Sequence, residues 1–302
     1  MNNSKEFLGT EPIGKLLFKL AVPSVIAQLV NMLYNIVDRI YIGHIPGSGS
    51  LALTGVGVCL PIIMVVSAFA ALVGSGGAPR ASIFMGKDDM DSAEKILSGC
   101  FTVQIIISAI LTAVLLLFGR SMLLTFGASE NTIGYAVDYM SIYAVGTIFV
   151  QMTLGMNMFI TAQGFSKTSM LTVTIGAVCN IILDPIFIFG LDLGISGAAL
   201  ATALSQCISF GILFFQSLLR KDCVHLKPGK ITLSLSLYGE ILHGGIPSLC
   251  RQGVASIATA ALNLAANPFG DAAIAALSIV SRYMMFIASA MIGFGQGFQP
   301  VC

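Results

Sequence analysis

The residues best suited to chemistry in this 302-residue chain are polar groups set into long apolar surroundings. Gln28, Asn31, Asn35 and Asp38 follow one another at steps of three, four and three, which puts them on one face of a helix. Asn180 and Asp184 are four apart and stack on a second helical face, with Gly176 a turn earlier. Pro185 follows directly. It has no N–H, so the carbonyl of Ile181 loses its usual helical partner and adds an oxygen beside the two side chains. Thr202 contributes a hydroxyl. Two carboxylates, a carboxamide and a hydroxyl make an oxygen-rich set suited to Na+ or to a shared proton. Close carboxylates in low dielectric do not both stay ionised without a cation, so such a site would exchange H+ or Na+ with the outer medium.

These groups are costly where they stand. The chain is 56% hydrophobic and only 10% charged, with a mean hydropathy of +0.91. Those values exclude an ordinary soluble domain. The formal net charge of +1 offers no broad cationic surface, so no nucleic-acid partner is expected and the lipid bilayer is the partner implied. Crossing about 30 Å of hydrocarbon takes roughly 20 apolar residues in a helix. Eight stretches qualify, at about 14–37, 51–73, 96–118, 133–151, 168–190, 195–219, 238–263 and 272–294. The runs are too long and unbroken for barrel strands. The fold class is therefore all-α, a polytopic membrane helix bundle with about eight transmembrane helices. An ionisable group inside it costs roughly 2.5–3.5 kcal/mol on insertion scales, so the polar stripe of the first span must face the bundle or a wet cavity. Pro23, near the start of that stripe, bends the helix toward it.

Orientation follows from the basic residues in the connections. With the N-terminus cytoplasmic, Lys5, Lys15, Lys19, Arg80, Lys87, Lys95, Lys167, Arg220, Lys221, Lys227 and Lys230 lie inside, and only Arg39 and Arg120 lie outside. Arg251 and Arg282 fall within spans, where they snorkel or pair in the bundle. The opening residues MNNSKEFLGTEPIGKLL lack the short apolar stretch of a cleaved signal peptide. Asp138 reads as interfacial. The outer turn from Gly190 to Gly194 is so short that the fifth and sixth spans must be antiparallel neighbours. Counted from that turn, Asp184, Thr202 and Asn180 lie roughly 9 to 15 Å deep. Asp38 closes the first span on the same side. The alternative reading of Asp38 is a helix cap at the headgroups.

The chain also resembles itself. Pro23, Ser24 and Gln28 reappear as Pro247, Ser248 and Gln252, and Gly74-Ser75-Gly76-Gly77-Ala78-Pro79 reappears as Gly295-Gln296-Gly297-Phe298-Gln299-Pro300. The offset, about 222 residues, covers six spans per unit. Two six-span units in parallel repeat form a transporter architecture whose halves rock about a central cavity. On that reading 1–222 is an N-terminal six-helix lobe, 223–302 begins a C-terminal lobe, and a full unit of about 445 residues would add about four spans. The cysteines at 59, 100, 179, 207, 223, 250 and 302 show no CxxC pair and read as small buried hydrophobes. Fourteen methionines and nineteen phenylalanines with no tryptophan suit an adaptable cavity for flat hydrophobic cations.

The run from Asn35 through Asp38-Arg39-Ile40-Tyr41-Ile42 to Gly43, the run Asn180-Ile181-Ile182-Leu183-Asp184-Pro185-Ile186-Phe187, Gly194-Ile195-Ser196-Gly197-Ala198-Ala199 and the closing Gly295–Pro300 block resemble the multidrug and toxic compound extrusion (MATE) transporters, closest to their bacterial DinF-like branch. The resemblance implies a two-lobe, twelve-helix transporter of the bacterial inner (cytoplasmic) membrane. It implies a secondary active antiporter that exports organic cations or amphipathic drugs in exchange for Na+ or H+, with no cofactor beyond the coupling ion. The family's ion site falls here on Asp38, Asn180, Asp184 and Thr202, the same set that depth assembles. Gln28, Asn31 and Asn35 would line the cavity. A lipid or polysaccharide flippase of similar layout is the alternative, and it would be expected to place several cationic side chains in the cavity. An enzyme is not expected: HExxH and GxSxG are missing, and His44, His225 and His243 form no intramembrane pair.

Overall fold

The computed structural model describes residues 12–219 and 235–298. Eight long helices follow in order: α1 (Ile13–Gly43), α2 (Gly49–Gly86), α3 (Met90–Thr125), α4 (Ile133–Ala162), α5 (Ser166–Pro185), α6 (Gly194–Leu219), α7 (Leu235–Ala266) and α8 (Asp271–Phe298). No strand occurs among the described residues. All eight expected spans are helical, and most of the helices extend past them. Seven are long and apolar enough to cross a membrane; α7 falls short in composition, since it carries Glu240, His243, Arg251 and Gln252. The protein is a multi-pass membrane protein.

The connections are short and made by residues suited to them. Asp89 caps α3, accepting hydrogen bonds from the Ser92 backbone N–H at 3.0 Å and the Ser92 hydroxyl at 2.6 Å. Those donors hold the Asp89 carboxyl below the usual carboxylate range. Lys15, Lys19, Arg80, Lys87, Lys95 and Lys167 gather on the face where α1 begins, and Arg120 lies toward the opposite face. Lys5, Arg220, Lys221, Lys227 and Lys230, the 222/223 junction, His225, Cys223, Cys302, Gln299 and Pro300 lie outside the described residues.

Packing explains the compositions. Helix α2 is the hub: 72% of its apolar window is buried, against 17% for the peripheral α3. It has no polar face because it has almost no exposed one. Small residues bring neighbours close, as membrane helices require when lipid tails compete equally for apolar side chains. At Gly76 a Cβ would lie 2.0 Å from the carbonyl oxygen of Ile241, and at Gly245 1.9 Å from that of Leu72. Thus α2 and α7 cross with backbones touching. Helices α1 and α8 do the same, since a Cβ at Gly297 would lie 2.3 Å from the Cα of Ala21 and one at Gly293 2.6 Å from that of Val25. Ser75 donates to Ser248 across the first crossing at 2.9 Å, and Gln28 to Gln296 across the second at 2.9 Å. The residues that matched in sequence thus occupy two similar helix crossings at the amino-terminal end of the bundle. An Arg80–Glu240 ion pair adds to the first.

Cysteine usage is more varied than expected. Cys59 and Cys100 are buried, Cys179 and Cys207 are half-buried, and Cys250 is exposed on α7; all five are free thiols. Asp138 is exposed.

Candidate functional site

The site is built first by α5 and α6. Their outer turn is tight: Asp192 and Gly194 both have φ of +54°, and the Leu193 N–H reaches back to the Phe187 carbonyl at 3.1 Å. After Pro185 the chain widens into a π turn over Ile186–Gly190, closed by Leu191 N–H to the Ile186 carbonyl at 2.8 Å. Gly197 lets α6 seat against this turn, because a Cβ there would lie 2.7 Å from the Phe187 carbonyl carbon. Deeper in, Gly176 leaves room for the Ser209 hydroxyl, which a Cβ would approach to 2.1 Å. The helices are thereby held close enough for side chains one turn apart to meet.

Asn180 and Asp184 are fully buried. The Asn180 amide donates to Asp184 Oδ1 at 3.4 Å and to Thr202 Oγ1 at 3.5 Å. These are long contacts, and Asn180 Oδ1 and Asp184 Oδ2 are buried with no hydrogen-bond partner. Asp38, on the facing side of α1, is 4% exposed, and its Oδ1 is likewise unpartnered. The Asp38 and Asp184 carboxylates interact electrostatically. Three orphaned acidic or amide oxygens in one buried region are an unfilled coordination set, because a buried acceptor without a donor costs about 1–3 kcal/mol. The donor set of Asp38, Asn180, Asp184 and Thr202 fits a small cation or a proton.

Asp38 does not cap α1. The helix runs five residues further, to Gly43, and keeps the carboxylate inside the bundle. The same extension corrects the expectation for Arg39. It is not in an outer connection but within α1, 7% exposed, with Nε and Nη1 unpartnered. Placed one turn after Asn35, it faces the bundle because that side of α1 does.

A central cavity of about 350 Å³ opens beside the site, among α1, α2, α4, α6, α7 and α8. Asn31, Asn35, Asp38, Arg39 and Thr202 line it, with Tyr34, Tyr139 and Tyr143 and the methionines Met32, Met64, Met158 and Met285. Tyr139 and Tyr143 are stacked at 6.3 Å. Gln252 and Arg282 face it from α7 and α8, and Arg282 Nη1 donates to Asn35 Oδ1 at 3.2 Å. Arg251 is exposed elsewhere. Gln28 is not on this wall: it lines a smaller cavity of about 70 Å³ among the N-terminal helices, which shares Asn31, Tyr34, Leu154 and Gln206 with the large one. The two helix crossings seal the amino-terminal end of the bundle below these cavities.

Sequence reasoning thus brought together Asn180, Asp184 and Thr202 in direct contact and Asp38 across from them. It missed the tyrosines, Arg39 and Gln206. Spacing carried a signal for each, since Tyr139 and Tyr143, Asn35 and Arg39, and Thr202 and Gln206 are all four apart. The individual methionines had no such signal.

Comparison with known proteins agrees with this architecture. The chain is 30% identical over 294 residues to the multidrug export protein MepA of Staphylococcus haemolyticus, covering 96% of this chain and 64% of that protein. It is 28% identical over 297 residues to MepA of Staphylococcus aureus strain NCTC 8325, with the same coverage. The chain therefore spans just under two thirds of the length of these curated relatives. The structure of the MATE multidrug transporter DinF-BH, solved in complex with the dye rhodamine 6G, superposes with a TM-score of 0.93 at 32% identity, covering 100% of this chain and 67% of that one. The MatE family model matches residues 23–186, more than half of the chain, and the chain belongs to the MatE family.

Proposed function

We propose that the protein works as a secondary active antiporter, exporting organic cations or amphipathic drugs in exchange for Na+ or H+ across the bacterial inner membrane, with its N-terminus cytoplasmic. The observation that carries this reading is the set of orphaned buried oxygens on Asp38, Asn180 and Asp184, beside a cavity of tyrosines and methionines that is sealed at one end. MepA is named a multidrug export protein, and DinF-BH a multidrug transporter solved with a bound dye. The basic residues on the amino-terminal face support the orientation.

Coupling follows from charge. Asp38 belongs both to the cation-binding set and to the cavity wall. A small cation or proton that neutralises it removes the negative charge that holds an organic cation in the cavity, and an organic cation in the cavity opposes loading of the small one. Each ligand weakens the other, which is the reciprocal coupling an exchanger needs. Asp184, Asn180 and Thr202 stand behind the wall and hold the small ion where a bulky drug does not reach. The two lobes, 1–222 and 223–302, would rock about the glycine crossings to open the sealed end.

The test is efflux from vesicles containing the protein. A fluorescent organic cation should be driven out by an imposed Na+ or H+ gradient, and Asp184→Asn should abolish the dependence on the gradient while the protein stays folded. Undiminished gradient-driven efflux by Asp184→Asn would overturn the coupling role.

A further inference from the structure

The charge on the cavity wall does not match a carrier of organic cations alone. Asp38 is the only carboxylate among its lining residues, while Arg39 and Arg282 both face it. Arg39 is buried to more than nine-tenths, and its Nε and Nη1 have no acceptor; Arg282 uses Nη1 on Asn35 and leaves Nε unpartnered. A buried guanidinium without an acceptor is costly, and costlier within a membrane. Asp38 does not satisfy both, and in the proposed exchange cycle its charge is taken by the coupling ion.

Guanidinium donors form a planar fork that matches a carboxylate with two parallel hydrogen bonds, and an N–H aimed into a cavity is a place for such a group. Arg39 comes from α1 and Arg282 from α8, so an anion held by both would also join helices from the two ends of the chain. Tyr139 and Tyr143 give the same cavity aromatic faces for a flat ring system. Resting on the efflux reading above, we propose that the preferred substrates are zwitterionic aromatic amphiphiles, whose cationic group faces Asp38 and whose carboxylate is held by the guanidiniums of Arg39 and Arg282.

A matched pair of dyes tests this on the purified protein in detergent, by fluorescence polarisation at fixed salt. Rhodamine B carries a free carboxylate beside its cationic xanthene, and its ethyl ester carries the cation alone. The native protein should bind rhodamine B about ten-fold or more tighter than the ester, the worth of one charge-assisted bidentate pair. Arg39→Gln and Arg282→Gln should each erase that preference, while ester affinity, which also reports that the variants are folded, stays within about three-fold. Arg282→Lys keeps the charge without the fork and should retain part of the preference. Equal affinity for the two dyes, or a preference surviving both glutamine substitutions, overturns the carboxylate site and leaves the efflux reading standing. Failure of both dyes to bind overturns the two together. Displacement of rhodamine B, but not of the ester, by phosphatidylglycerol would assign the guanidiniums to a lipid phosphate and so also overturn the proposal.

Discussion

Replacing Gly245 by alanine should open the sealed end of the bundle, and the structure sets the size of the effect. The added Cβ would sit 1.9 Å from the carbonyl oxygen of Leu72, against a lower limit of 3.4 Å for ordinary contact, so α2 and α7 must part by about 1.5 Å. The obstacle is backbone on both helices, and no side chain rotates out of the way. Overpacking of this kind costs roughly 1–3 kcal/mol. Against it stands the better helix propensity of alanine, about 1 kcal/mol. The net loss should be about 1–2 kcal/mol, a fall of roughly 2–4 °C in melting temperature per kcal/mol for a chain of this size. Gly253→Ala on the same helix is the control, because a Cβ there meets nothing within 4 Å. It should leave the melting temperature unchanged or raise it. Thermal unfolding in detergent, read by intrinsic tyrosine fluorescence, compares the two directly. Equal melting temperatures for Gly245→Ala and Gly253→Ala would refute the claim that α2 and α7 touch through their backbones.

Two smaller effects follow from exposed groups. Glu240→Gln removes the Arg80 ion pair, whose side chains are 33% and 53% exposed, so it should cost no more than about 1 kcal/mol at low salt and nothing measurable at high salt, seen as a salt-dependent difference in melting temperature. The Asp89 cap should be pH-dependent: its carboxyl is held below its unfolded value by Ser92, so the stabilisation is present above the unfolded value and lost as pH falls through the depressed one. Hydrogen exchange at the Ser92 and Ala93 amides should therefore quicken in acid beyond the change in intrinsic rate, and Asp89→Asn should remove that excess; the same acid response in both proteins would contradict the cap.

Much of this architecture is legible in the chain because lipid simplifies the problem. A run of apolar residues long enough to span hydrocarbon has few fates, and all eight runs are helices. The ends were less legible. Helix α2 continues past its expected end near residue 73 through Gly74-Ser75-Gly76-Gly77-Ala78-Pro79, which by composition reads as a break. Here the glycines serve approach between helices, as Gly76 against Ile241 shows, and burial overrides their poor propensity. Arg39 misled for a related reason: a charge after a polar stripe looks like the water boundary, yet α1 keeps it inside. The Asn180–Asp184–Thr202 cluster was legible because it is local, set by a four-residue step and a turn too short to allow anything but antiparallel helices. The pairing of Asn35 with Arg282 spans 247 positions and has no local pattern. Contacts of that kind come only from the packing of α1 on α8.

The convergence of Asp38 and Asp184 on one small cation is tested most directly by difference infrared spectroscopy of the carboxyl groups. Stepping pH or Na+ on the purified protein should change a band from a buried carboxyl group. That band should be lost or displaced in Asp38→Asn and in Asp184→Asn alike, because each carboxylate feels the other. A band that responds normally in either variant would mean that the two residues do not share an ion.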